Sequence, residues 1–228
     1  MKFKLKKMRN YLIFMFLTVL FLNNVSGITP KTSINYKNIE PNDSSKINKE
    51  LSEEIIQMNK EDQELRYKLM ESITPEGEMD SIVLQSIGEI DMRNTNRMKE
   101  IIETYGWPTI SLVGKEAASM AIFLVIHADR DTAFQIKCLS LMKLAAEKED
   151  IDLASYAVLI DRVLVHQDKE QIYGTQGGCD QSGWTADPIK EKDTIEERRK
   201  ELGLTAFKEY KEMMDEYCKK HFDNNNEK

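Results

Sequence analysis

Ten residues constrain the fold more than any others. From Ala117 to Ile126 the chain reads AASMAIFLVI, uncharged and apolar on every side of a helix. A helix without a polar face has no side to give to water, so it belongs at the centre of a domain with other helices around it. The remaining sequence supplies those helices. Leu51, Ile55, Met58, Leu65 and Leu69 recur at helical spacing from Lys49 onward, with Asp62 at an inward slot. Pro75 and Gly77 break that pattern. A short helix is expected over 81–87. Another, capped by Asp91 or Asn94, should run to Tyr105 on a stripe of Met98, Ile101, Ile102 and Tyr105, with Gly106 and Pro108 as its stop.

Thr132-Ala133-Phe134-Gln135 has the form of a capping box. The helix it opens carries Phe134, Cys138, Leu141, Met142 and Ala145 on one face. Asp152 should cap a further, almost wholly apolar helix over 153–166. Thr194-x-x-Glu197 is a second capping-box pattern, closing at Gly203, and a last helix over 205–221 turns Phe207, Tyr210, Met214, Tyr217 and Cys218 inward. Residues 171–189 have a different texture, glycine-rich and strand-forming, and read as an irregular loop or short β-hairpin. Strands are too few for an α/β sheet. The expected fold is mainly α, a single helical domain over 48–222.

The ends of the chain read differently. Lys2, Lys4, Lys6, Lys7 and Arg9 precede an apolar run over 11–22, followed by Asn23-Asn24-Val25-Ser26-Gly27. A basic start, a short apolar middle and small residues at the end make an export signal, expected to be cleaved after Gly27; the alternative is an uncleaved anchor. Residues 28–47 are polar and aperiodic, a flexible tether, and 223–228 a disordered tail. The signal holds five of the 32 basic residues and none of the 39 acidic ones, so the mature chain carries net −12 rather than −7. The expectation is a secreted or periplasmic protein with no stable membrane span after signal removal. Nucleic acid is a poor partner for so acidic a surface, which leaves a small molecule or another protein.

The informative polar residues are those in apolar surroundings, because an unpaired buried polar group costs about 1–3 kcal/mol. His127 ends the central apolar run and is followed by Asp129 and Asp131. A carboxylate beside the imidazole would fix its tautomer, as a general base requires, whereas a helix-end hydrogen bond and a cap are the structural alternative. Asp161 and Arg162 are the only charges in LASYAVLIDRVLV. Adjacent helical residues point about 100° apart, so each needs its own partner or a ligand. A buried arginine is a bidentate clamp for carboxylate or phosphate, or one half of a structural ion pair. Gln171, Tyr173, Thr175 and Gln176, in the segment QIYGTQ, offer amides, a phenol and a hydroxyl around Gly174, either as a recognition surface or as a tight turn.

The candidate catalytic pair is therefore His127 and Asp161. The candidate ligand-binding set is Asp129, Arg162, Gln171, Tyr173, Thr175 and Gln176. No cofactor or metal is assigned, though His127, Asp129 and Asp161 are a conceivable ligand set. Cys-x-x-Cys, His-Glu-x-x-His, Gly-x-Ser-x-Gly and phosphate-loop patterns are absent from the sequence. Cys138 reads as a small hydrophobe, and Cys179 and Cys218 are free to pair in an oxidising compartment, though spacing does not decide it.

One ordered series of motifs resembles a bacterial domain-of-unknown-function family. It runs Gly106-Trp107-Pro108-Thr109, Val113-Gly114, His127-Ala128-Asp129 with Phe134-Gln135, Asp161-Arg162 and Gln171-x-Tyr173-Gly174-Thr175-Gln176, then Arg198-Arg199 through Gly203-Leu204 to Tyr210. The resemblance implies one genuine domain whose His127, Asp161, Arg162 and YGTQ loop belong together, and it implies no reaction. Two functions stay open. One is a binding or interaction domain built on the polar cluster and the loop. The other is a hydrolase-type enzyme with His127 as general base oriented by a carboxylate.

Overall fold

A computed structural model of the chain describes residues 47–72, 79–180 and 182–223. The segments expected to be an export signal, a tether (up to residue 46) and a tail (beyond 223) lie outside them. Seven helices and one hairpin follow in order: α1 (Lys49–Glu71), α2 (Ser81–Tyr105), α3 (Ile110–Ile126), α4 (Thr132–Ala146), α5 (Leu153–His166), β1 (Gly177–Asp180), β2 (Gly183–Ala186), a 3₁₀ turn (Lys192–Thr194), α6 (Ile195–Glu201) and α7 (Phe207–Asp223). The chain is mainly α, as expected. The antiparallel β1–β2 pair is the only sheet among the described residues.

The apolar run is the axis of the domain. Ala117, Ala121 and 122–126 of α3 are all buried, and α1, α2, α4 and α5 pack around them. Burying an Ile or Leu side chain contributes about 1.5–3 kcal/mol, so this layer is a large source of stability. A second, smaller core lies under the hairpin, where Cys179 and Trp184 meet Tyr210, Met214 and Cys218 of α7. Trp184 packs edge-on against Tyr210, with ring centroids 5.5 Å apart. Val158 of α5 packs against both cores.

Three of the expected helix starts are corrected. The helices expected over 81–87 and from about 94 are one continuous α2, whose cap is Asp80, accepting from the amides of Ile82 and Val83 at 2.8 and 3.2 Å. Asp91 and Asn94 lie inside it because they face the interior, where polar residues mimic a cap in the sequence. At α4, Asp131 is the cap, accepting from the Phe134 amide at 3.0 Å. Gln135 does not close a box with Thr132. It turns back and donates to the carbonyls of Val125 and Ile126, both at 3.1 Å, satisfying the open end of α3. Before α6, Thr194 donates its hydroxyl to the Glu191 carbonyl at 3.0 Å rather than capping.

Cys179 and Cys218 form a disulfide that ties β1 to α7 across 39 residues. Closing a loop of that length removes unfolded-state entropy, with typical gains of about 2–4 kcal/mol. Denaturant melts of the oxidised chain and of Cys179→Ser should differ by that order. Identical midpoints would show that the small core holds without its cross-link.

Candidate functional site

Where α3 ends, its last turn delivers His127 into a buried polar layer. Asp62 and Arg66 lie four apart on the inward face of α1, the register in which such a pair meets. Arg66 Nε donates to both Asp62 oxygens, at 3.0 and 3.1 Å, and its Nη2 reaches across to Asp91 of α2. His127 Nδ1 lies 3.0 Å from Asp62 Oδ2, an ion-pair contact off the straight hydrogen-bond line. The residue is only 5% exposed, and its Nε2 makes no hydrogen bond among the described residues. Asn59 Nδ2 and both polar atoms of Asn94 are buried and unpaired likewise.

The two carboxyls of this layer are driven apart. Burial pushes Asp62 up, but the adjacent His127 and Arg66 outweigh it and hold the carboxyl far below the ordinary range. Burial raises the Asp91 carboxyl, against the pull of Arg66 and His127 and with help from the charges of Asp62 and Asp129. A carboxyl depressed in the folded state adds stability that is complete above its unfolded pKa, about 4, and is lost as pH falls toward the folded value. Unfolding free energy is therefore expected to drop below about pH 4, with Asp62→Asn flattening that limb relative to the parent chain. Parallel acid limbs in the two proteins would contradict the pairing of Asp62.

Above this layer opens a cavity of about 420 Å³ between α2, the 127–131 turn and α5. Its lining includes Gly88, Asp91, His127, Asp129, Arg130 and Arg162. Arg162, itself buried, makes a two-pronged clamp on Asp129, Nε to Oδ1 at 3.1 Å and Nη2 to Oδ2 at 2.5 Å. His166 Nδ1 lies 3.4 Å from the same carboxylate. Burial raises the Asp129 carboxyl, but Arg162 and His166 prevail and its pKa falls below the ordinary value.

Asp161 points the other way. It is fully buried and accepts from the amides of Ile172, Tyr173 and Thr175 at 2.8, 3.0 and 3.0 Å, and from the Thr175 hydroxyl at 2.9 Å. Burial pushes this carboxyl up, and those donors pull it back only in part. Gln171 braces the same loop, donating to the carbonyls of Gln176 and Asp187 and accepting from the Gln176 amide, each at 2.8 Å. Arg199 donates to the Tyr173 carbonyl at 2.6 Å. Gly174 adopts φ +68°, and a Cβ there would come within 2.6 Å of Phe207 and 2.8 Å of Ile195, so both conformation and space require glycine.

The sequence-predicted site residues thus fall into two groups. His127, Asp129 and Arg162 meet at the cavity. Asp161, Gln171, Thr175 and Gln176 are buried beneath the hairpin with half-buried Tyr173 beside them. The carboxylate at His127 is Asp62, not Asp161, Asp129 or Asp131. Asp62 is the site residue that sequence reasoning did not nominate. Its signal was an acid at an inward slot with an arginine four residues on. The conceivable His127, Asp129, Asp161 ligand set is not the one brought together. Asp62, Asp91 and His127 do each offer a donor atom within 4.8 Å of the others, but Arg66 bonds both carboxylates, so a cation there must displace a guanidinium.

Fold and site together define a mainly α domain with a buried Asp–Arg–His layer beneath an open cavity. A family model described as a family of unknown function (DUF6624) matches residues 49–221, and the chain belongs to that family. No curated protein and no solved structure matches the chain. Among the described residues no helix is long and apolar enough to cross a membrane.

Proposed function

We propose that this is an exported domain that acts on a small molecule held in the cavity, with His127 as general base positioned by Asp62. One observation carries the reading: a buried imidazole that lines the cavity has a carboxylate 3.0 Å from Nδ1 and a buried Nε2 that makes no hydrogen bond among the described residues. That is the arrangement in which Nε2 takes a proton and the carboxylate stabilises the imidazolium that results. Contacts of this kind are often misaligned without ligand and tighten when it binds, so the off-line geometry is compatible with the role. Thr95 brings the only hydroxyl among the lining residues, and no cysteine lines the cavity. Water activated by His127 is the nucleophile this reading takes, which makes the chemistry hydrolytic. Export is supported by the basic and apolar leader and by the Cys179–Cys218 disulfide, a bond at home in oxidising compartments.

The test is turnover of a panel of small esters, amides and phosphate esters by the mature protein. His127→Gln should lower the rate by about 100-fold or more while melting stays close to that of the parent. A folded His127→Gln protein with undiminished turnover would remove His127 from the chemistry. The second reading, a binding domain without chemistry, is favoured by the misaligned His127–Asp62 contact. It gains if no substrate of the panel turns over. The YGTQ loop supports the hairpin in either case.

A further inference from the structure

We propose that the molecule this cavity takes is a small anion, whose carboxylate or phosphate group seats on Arg130 above Gly88; this rests on the reading of the cavity as a small-molecule site. The charges around the cavity lead there. Three of its four lining cations are already held by carboxylates: Arg66 by Asp62 and Asp91, Arg162 by Asp129, and Lys99 by Asp131. Arg130 is the fourth. It is exposed at the cavity wall and has no carboxylate partner among the described residues. In a chain carrying net −7, a wall with more cations than acids is the opposite of the average surface. A cleft of this kind concentrates field lines and attracts anions.

The helix opposite is shaped for that guanidinium. Gly88 sits mid-way along α2, where glycine weakens a helix and alanine would serve better. A Cβ at this position would lie 3.3 Å from Arg130 Nη2, so the missing side chain leaves the guanidinium room to lie against the helix. A planar fork in that position presents parallel N–H donors, the geometry that recognises carboxylate and phosphate. His127 lines the same cavity, and its buried Nε2 makes no hydrogen bond among the described residues. An anion on Arg130 thereby keeps the rest of the molecule in the cavity that His127 also lines.

The probes are inorganic phosphate and succinate, titrated separately into the mature protein and followed by calorimetry, with the His127 ring resonances recorded alongside. Saturable binding of one or both at millimolar concentration is expected, and which of them binds more tightly distinguishes the two anion types. Arg130→Gln should weaken that binding by about tenfold or more, since a charge-assisted pair is lost, with melting unchanged. Gly88→Ala should also weaken it, by crowding the guanidinium, while raising the melting temperature through better helix propensity. That opposite movement separates loss of the anion seat from loss of the fold. No saturable binding of either probe, or equal binding by Arg130→Gln, overturns the proposal. The general-base reading fails on a different signal. If the His127 titration curve is identical in the parent and in Asp62→Asn, the acid–base pair is dismissed while the anion seat stands.

Discussion

Replacing Asp161 with alanine is expected to cost about 3–5 kcal/mol, enough to leave the hairpin and α7 without a stable home. Three backbone amides and one hydroxyl converge on this carboxylate. The carboxylate itself is fully buried, and the Thr175 amide and hydroxyl are buried with it. A buried amide deprived of its partner costs about 1–3 kcal/mol, so the loss compounds over several donors. Asp161→Asn is a sharper probe. It keeps the volume but turns an NH₂ toward donors, and is expected to recover only part of the loss. Denaturant melts measure the cost, and near-ultraviolet circular dichroism of Trp184 reports whether the small core has come apart. A change below about 1 kcal/mol for Asp161→Ala would show that the loop holds without its anion.

The second large effect is expected at Arg66. Arg66→Met leaves Asp62 and Asp91 facing each other without the guanidinium that bonds both. Breaking a buried ion pair by removing one partner typically costs about 3–5 kcal/mol, because the remaining charge has no compensation. The companion variant Arg66→Met with Asp91→Asn removes the charge left behind as well, so much of the stability should return. If the double variant is no better than the single one, the loss came from packing of the arginine stem rather than from the charges. Both are read from melts at neutral pH.

Legibility in the sequence followed the physics of each feature. The central helix was plain because an apolar run with no polar side permits one placement. Asp161 and Arg162 stood out because charges in an apolar helix need partners. Their partners were hidden for different reasons. Those of Asp161 are mostly backbone amides, which every residue but proline has, so no sequence pattern marks them. That of Arg162 is Asp129, which competed with Asp131 for the role of cap. Asp62 was visible as an acid facing inward, but its meeting with His127 depends on how α1 lies across the end of α3, and helical periodicity does not encode that. The hairpin was placed correctly within 171–189, yet the strands are GGCD and GWTA rather than the more strand-like QIYGTQ. A Cβ at Gly177 would lie 2.4 Å from the Thr185 carbonyl oxygen, so close approach, not β propensity, chose the strand.

The placement of Val158 between the two cores bears on how the chain assembles. The five helices up to α5 make a core of their own, whereas the hairpin and α7 have a few buried side chains, a cross-link and the face of α5 that Val158 and Asp161 offer. A nucleus in the C-terminal quarter has nothing to grow on until α5 is docked. Synthesis proceeds in the same direction, so α5 is complete and able to serve as a template before Cys218 is made. Formation of the disulfide is then a late event that records correct docking of α7. Amide exchange under reducing conditions should accordingly show two tiers of protection, with α7 and the hairpin opening before α3.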